Sequence, residues 1–210
     1  MSLDNLAHAV SDADEVNTLR LVTDLLNAGI SPNTILVEGL TKGLTLLGAS
    51  WEEGDAFLAD VLCAIDAFYE GLAVIEPYLK DEKADPLGKI VIGTVAGDLH
   101  SIGKNIVATL FMLNGFEVKD LGEDVSPEQF INAIQAEHAD ILALSCLVST
   151  SLPAMTATIQ CLREQGLRND IKVMVGGPPV TPEFVDKIGA DLYAQDAFEA
   201  FKVAKGALTS

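Results

Sequence analysis

From Lys89 onward, five short apolar runs alternate with stretches of helical period. Lys89 to Val95, Phe116 to Asp120, Asp140 to Ser145, Lys172 to Gly176 and Asp191 to Ala194 read as strands. Gly103 to Leu113, Ser126 to Glu137, Pro153 to Glu164, Thr181 to Ile188 and Ala197 to Lys205 read as helices. Short runs alternating in this way with helical stretches are the pattern of βα units, in which parallel neighbours are joined by a crossover of helical length. A βα unit repeated five times therefore predicts a doubly wound parallel sheet in the order 2-1-3-4-5. Its ligand crevice lies outside the carboxyl ends of strands 1, 3 and 4.

The first part of the chain has a different period. Leu19, Val22, Leu25 and Leu26, then Leu36, Leu40, Leu44 and Leu47, then Phe57, Val61, Ile65 and Phe68 recur at helical spacing. Breaks fall at Asn27-Ala28-Gly29, with Ser31-Pro32 opening the next helix, and at Glu52-Glu53-Gly54-Asp55. About four helices joined by short turns follow. Lys80 to Gly88 is charged, poor in apolar residues and punctuated by Pro86 and Gly88, the composition of a linker. The fold class is thus α plus α/β. A four-helix bundle cap over 1–88 precedes a flavodoxin-like or Rossmann-like five-stranded parallel sheet over 89–210.

Charge narrows the partners. The net charge is −18, with four basic against sixteen acidic side chains over 1–88 (−12) and nine against fifteen over 89–210 (−6). Such a field repels phosphate backbones and anionic lipid surfaces, so neither nucleic acid nor membrane is expected as a partner. The N-terminus carries no basic n-region, and no apolar run approaches the roughly 18 residues needed to span a bilayer, so the expected location is the cytoplasm. Cys63, Cys146 and Cys161 are odd in number, lack metal-type spacing and sit in apolar contexts, which predicts buried free thiols.

Candidate chemistry collects at the strand ends. Strand 1 leads into Gly97-Asp98-Leu99-His100-Ser101-Ile102-Gly103-Lys104-Asn105, a glycine-framed polar loop opening a helix. His8 and His138, on a polar helix and at a surface helix end, have the setting of ordinary solvent-facing side chains, which leaves His100. Taken alone, Asp98 could equally be an N-cap acceptor beside a surface histidine. Strand 3 closes with Ser145-Cys146-Leu147 and runs through Ser149-Thr150-Ser151, and strand 4 closes with Gly176-Gly177. The serines could be ordinary turn hydroxyls, and the glycines could simply end a strand. Paired glycines at such a switch point also let a large flat ligand approach the backbone.

Asp98-x-His100-x-x-Gly103, then 41 residues, Ser145-x-Leu147, then 28 residues, Gly176-Gly177, resembles the cobalamin-binding signature of corrinoid-dependent methyltransferases. Pro32-Asn33-x-Ile35-x-x-Glu38-Gly39-Leu40-x-x-Gly43, then Gly48-x-x-Trp51-x-x-Gly54-x-x-Phe57-Leu58, resembles the helical cap of stand-alone corrinoid proteins serving methanol, methylamine and methoxyaromatic systems. The likeness departs after Phe57-Leu58, where Ala59-Asp60-Val61-Leu62-Cys63 replaces the family's Pro-Glu-Met-Leu-Met.

The resemblance implies a cobalamin or related corrinoid bound base-off/His-on. His100 is then the cobalt ligand in place of the cofactor's own base. Asp98 is bonded to His100 and Ser151 to Asp98 as a proton relay. Gly97, Leu99, Ser101, Gly103, Ser145, Leu147, Ser149, Gly176, Gly177 and Ala197 line the cofactor, with Phe57, Leu58, Val61 and Leu62 as candidate shields of its upper face. These four residues have the spacing of ordinary bundle core as well.

The implied function is a methyl carrier. A substrate-specific methyltransferase, the methoxyaromatic O-demethylase type being favoured over methylamine or methanol, loads the Co(I) corrinoid. A second methyltransferase using tetrahydrofolate or coenzyme M unloads methyl-Co(III), and a reductive activator restores the reduced metal. The cap must swing aside, with Lys80 to Gly88 as the hinge, and the bundles of relatives suggest a homodimer. A cobalamin-reading regulator and a B12-dependent isomerase subunit share the motif. The first needs an output domain and the second a barrel. A phosphoacceptor receiver shares the strand order but wants Asp where strand 3 ends in Ser145.

Overall fold

The computed structural model describes residues 2–79 and 86–208. The chain forms two compact units, residues 1–85 and 86–210. Residues 80–85 of the expected hinge lie outside the described residues.

The first unit is helical because its caps and breakers fall where its apolar period pauses. Helix α1 (Leu3–Ser11) opens on Ser2, whose hydroxyl accepts the Asn5 N–H, and α2 (Glu15–Asn27) opens on Asp14, which accepts from Asn17. Ser31 caps α3 (Pro32–Thr34), which runs through a π-helical stretch, Ile35–Thr41, into α4 (Lys42–Glu53). Gly54, at φ +82°, ends that helix in the left-handed conformation that glycine adopts without strain. In α5 (Leu58–Ile75), Asp60 reaches back to accept the Phe57 N–H at 2.8 Å.

Leu6, Val10, Val22, Leu40, Ile65 and Phe68 lie in the buried interior of this unit. Gly39 and Gly43 let α1 come close, since a Cβ at Gly43 would stand 2.7 Å from the Ala7 carbonyl. Among the expected buried thiols, Cys63 is exposed, Cys146 buried and Cys161 between. The apolar surroundings of Cys63 misled because α5 is rich in apolar residues on every side, so context there does not mark the inward face.

In the second unit, β1 (Lys89–Thr94), β2 (Glu117–Asp120), β3 (Ile141–Ser145), β4 (Lys172–Gly176) and β5 (Leu192–Ala194) form one parallel sheet ordered β2-β1-β3-β4-β5, as the sequence predicts. Helices α6 (Ile102–Leu113), α7 (Pro127–Glu137), α8 (Leu152–Glu164), α9 (Pro182–Ile188) and α10 (Ala197–Leu208) make the crossovers. Alternation along the strands divides two cores. Val91, Leu142 and Val173 pack on one face with Phe130 of α7 and Ile159 of α8. Ile90, Ile141 and Met174 pack on the other with Phe111 of α6 and Ala204 of α10. The register aligns Thr94 with Ser145, Ser145 with Gly176 and Gly176 with Ala194, so the carboxyl ends of four strands finish in one row.

Candidate functional site

Three loops meet beyond that row. The β1–α6 loop makes a left-handed turn at Gly97 (φ +81°) and carries Asp98 inward and His100 outward. The Asp98 carboxylate is fully buried, while the His100 ring is 55% exposed. Asp98 Oδ1 accepts the His100 backbone N–H at 3.0 Å and faces His100 Nδ1 at 2.7 Å. Its Oδ2 accepts the N–H groups of Leu147 at 2.6 Å and Val148 at 3.3 Å, just past β3. Burial opposes ionisation of this carboxyl, but the bonds from Leu147, the His100 ring, the His100 backbone and Val148 outweigh it and hold its pKa down to about 2. An ionised Asp98 against Nδ1 favours that nitrogen as the N–H donor, and in the neutral ring this leaves Nε2 as the free donor to a metal. Burial and the Asp98 charge push the neighbouring Cys146 thiol up to about 11, which keeps it protonated and unreactive.

The serines behave differently from one another. Ser151 is buried and its hydroxyl donates to the Gly97 carbonyl at 2.9 Å. The expected bond to Asp98 is not formed, because both Asp98 oxygens are engaged by main-chain N–H groups and the His100 ring. Ser145 ends β3 half-buried beside Gly176, and Ser149 is exposed in the 3-10 turn Ser149–Ser151. Ser101 occupies the N-cap position of α6 without a side-chain capping bond. Ala197, half-buried at the start of α10, follows β5 by three residues on the far side of Gly176.

The glycines also divide. At Gly177, φ is +122° and a Cβ would collide with the Cys146 carbonyl at 1.9 Å, while at Gly176 it would stand 3.0 Å from the Ala194 carbonyl. Strand-end packing therefore accounts for both. Gly103 has no such internal reason: its φ is not positive, it is exposed and no atom lies within 4 Å of where a Cβ would be. Glycine in a helix costs about 1 kcal/mol relative to alanine, so its smallness here fits a ligand lying against the first turn of α6. Leu99, Ile102 and Leu147 are large, apolar and exposed around His100, a surface suited to a flat, largely apolar ligand. An imidazole nitrogen held ready as a donor, an apolar rim and an unfilled glycine together suit a corrinoid with His100 beneath its metal.

Two further residues support the loop that sequence reasoning missed. Thr94, fully buried, donates its hydroxyl to the His100 carbonyl at 3.0 Å. Asp124, in the loop after β2, accepts the Gly97 N–H at 2.7 Å through its side chain and donates its own N–H to the Asp98 carbonyl at 3.0 Å. A polar residue closing an apolar strand was the available signal for Thr94. Asp124 left none, because its partners Gly97 and Asp98 stand 27 and 26 residues away. In the helical unit, Val61 belongs to the core while Phe57, Leu58 and Leu62 are exposed.

Fold and site together describe a cofactor-binding α/β module preceded by a helical unit. Residues 88–202 match the B12 binding domain family, and residues 2–76 match a second family of the same description. The trimethylamine corrinoid protein 2 of Methanosarcina acetivorans is 39% identical over 204 residues, covering 96% of this chain and 94% of that one. A cobalamin-binding protein from Desulfitobacterium hafniense DCB-2 superposes with a TM-score of 0.82 at 31% identity, covering 98% of both chains. The methanol:cobalamin methyltransferase complex MtaBC from Methanosarcina barkeri gives 0.83 at 29% identity, over 98% of this chain and 78% of that one. The chain belongs to the B12-binding corrinoid protein family. Among the described residues no helix is long and apolar enough to cross a membrane.

Proposed function

We propose that this protein is the corrinoid-carrying subunit of a methyltransferase system, with the cofactor bound base-off and His100 as its lower metal ligand. The observation that carries the reading is the buried, ionised Asp98 on Nδ1 of an exposed His100 ring. When bound, the corrinoid supplies a cobalt centre that takes up a methyl group in its reduced state and releases it to an acceptor.

The chain's own residues act on that centre from below. Asp98 holds the Nδ1 proton, orients the ring and makes Nε2 a stronger donor. Proton movement in this reading is confined to Asp98 and His100. Ser151 serves by holding the Gly97 carbonyl. Leu99, Ile102 and Gly103 lie against the ring system, Ser145, Leu147, Gly176 and Gly177 wall the slot for the displaced nucleotide tail with Ala197 beside it, and Gly97, Ser101 and Ser149 line the cofactor. Phe57, Leu58 and Leu62 stand as the candidate shields of the upper face that the resemblance implies. The expected hinge serves to uncover that face, and it and the boundary at Gly88 stand as part of the proposal.

The partners in this reading are a substrate-specific methyltransferase, a second methyltransferase acting on tetrahydrofolate or coenzyme M, and a reductive activator. Similarity to trimethylamine and dimethylamine corrinoid proteins favours a methylated amine as donor over the methoxyaromatic that the sequence resemblance suggested.

The test is anaerobic reconstitution with hydroxocobalamin, followed by reduction and methyl iodide. The expected result is a retained corrinoid with a His-on visible spectrum that is lost in His100→Ala, and a methylated spectrum after methyl iodide. A protein that retains no corrinoid, or whose spectrum is unchanged in His100→Ala, overturns the reading. Supplying purified trimethylamine, methanol and methoxyaromatic methyltransferases in turn then assigns the donor.

A further inference from the structure

The β1–α6 loop is held from the neighbouring βα unit by a contact that the proposed ligation does not itself require. The Gly97 peptide is clamped at both ends, its N–H on the Asp124 carboxylate at 2.7 Å and its C=O on the Ser151 hydroxyl at 2.9 Å. One residue on, the Asp98 carbonyl accepts the Asp124 N–H at 3.0 Å. Asp124 thus grips consecutive residues of the loop with side chain and main chain together. It does so in the left-handed region, at φ +54°, which is uncommon for a residue with a side chain. The segment around it is fixed to β1, since Val125 donates to the Thr94 carbonyl and Thr94 donates to the Gly122 carbonyl. Thr94 in turn holds the His100 carbonyl. Gly97 at φ +81° has a backbone that glycine adopts on either side of zero, so without an outside hold this turn has more freedom than any other residue would give it.

We infer that Asp124 is a positioning residue for the metal ligand: by fixing the Gly97 and Asp98 backbone it sets the carboxylate that orients the His100 ring. The inference rests on the reading of His100 as the corrinoid ligand, but its geometry lies wholly within the apoprotein. The hydrogen bonds of Asp124 run to Gly97 and Asp98, so its hold on the His100 ring passes through the backbone of the loop. A strained backbone that persists because the surroundings over-determine it is where such a role is found.

Two substitutions separate the carboxylate from the backbone. Asp124→Gly suits the positive φ and removes the acceptor, whereas Asp124→Asn keeps an oxygen acceptor and tolerates the same backbone. The first readout is the tautomer of His100 in apoprotein, by long-range proton–nitrogen NMR at about pH 8.5, roughly two units above the usual imidazole range. The parent should show one tautomer with the proton on Nδ1, Asp124→Gly a mixture, and Asp124→Asn the parent pattern.

The second readout is hydroxocobalamin titration followed by the visible spectrum, with His100→Ala as control. Asp124→Gly should retain corrinoid roughly three- to tenfold less tightly, with a partial loss of the His-on band, the scale of one hydrogen bond. A parent-like tautomer and affinity in Asp124→Gly overturn the inference. Equal losses in Asp124→Asn overturn it too, since the acceptor would not then be the cause. A parent that shows no His-on spectrum refutes the ligand reading, and the apoprotein tautomer still decides the role of Asp124.

Discussion

In the helical unit the buried polar side chain is Thr18, whose hydroxyl has no hydrogen-bond partner among the described residues. In the α/β unit Thr94, Asp98, Lys104, Ser151 and Thr158 are buried, and each has a partner. Four of these five stand at or just beyond the strand ends, on the side where the candidate site lies. Lys104 ties the first turn of α6 to Asp120 at the end of β2, so even the ion pair there fixes the loop that carries His100. One unit is held by apolar packing that tolerates an orphan hydroxyl. The other spends buried hydrogen bonds on holding a particular loop in a particular shape. Polar burial is costly when unsatisfied and rigidifying when satisfied, so its distribution marks where shape matters as well as stability.

The sharpest break in that contrast comes at the strand-end corner. Gly177→Ala forces a Cβ onto the Cys146 carbonyl in a backbone unsuited to it. It should destabilise the α/β unit by at least about 3 kcal/mol in chemical denaturation. Asp98→Ala leaves the N–H groups of Leu147, Val148 and His100 without their acceptor, for an expected loss of about 3 kcal/mol by the same measurement.

Acid probes the same carboxylate without mutation. Its pKa falls from 3.8 to about 2 on folding, so its stabilisation is complete above about pH 4 and is lost as pH drops through about 2. That amounts to about 2 kcal/mol, and the pH dependence of apoprotein denaturation should lose this component in Asp98→Asn. Thr94→Val removes the hold on the His100 carbonyl and should cost about 1.5 kcal/mol. Thr18→Val fills the same space without a stranded hydroxyl and should instead stabilise the helical unit by about 0.5–1 kcal/mol, seen as a raised melting temperature. A loss from Thr18→Val would show that the orphan hydroxyl has a partner in solution and would erase the contrast.

Much of this was legible beforehand, for definite reasons. All five strands were bounded to within a residue: β1, β3 and β4 because parallel strands buried on both faces give unbroken apolar runs, and the exposed edge strand β2, Glu117–Asp120, only by its place between two helical stretches. Ser31-Pro32 and Gly54 delimit their helix because capping chemistry is local. The motif residues Asp98, His100 and Leu147 do meet, and Gly177 lies against the adjacent Cys146, since loops at one edge of a parallel sheet have nowhere else to go.

What escaped was contact chemistry between distant residues. The Ser151 hydroxyl chose the Gly97 carbonyl over Asp98 because Asp98 was already saturated by main-chain donors, which no spacing announces. The π-helical stretch escaped for another reason: Leu36, Leu40 and Leu44 keep an i, i+4 rhythm that an α-helix would show as well.

That stretch gives its helix slack in length. A π-helical turn, with its bonds running from i to i+5, winds more residues into each turn than an α-helical one does. Shortening the chain by one residue inside Ile35–Thr41 therefore has an α-helical path open to it that leaves Gly43 and the rest of α4 facing α1. The same deletion in the middle of α2 would swing every later side chain by more than a quarter turn. Among the described helices of this unit, this is where a one-residue deletion is most readily absorbed.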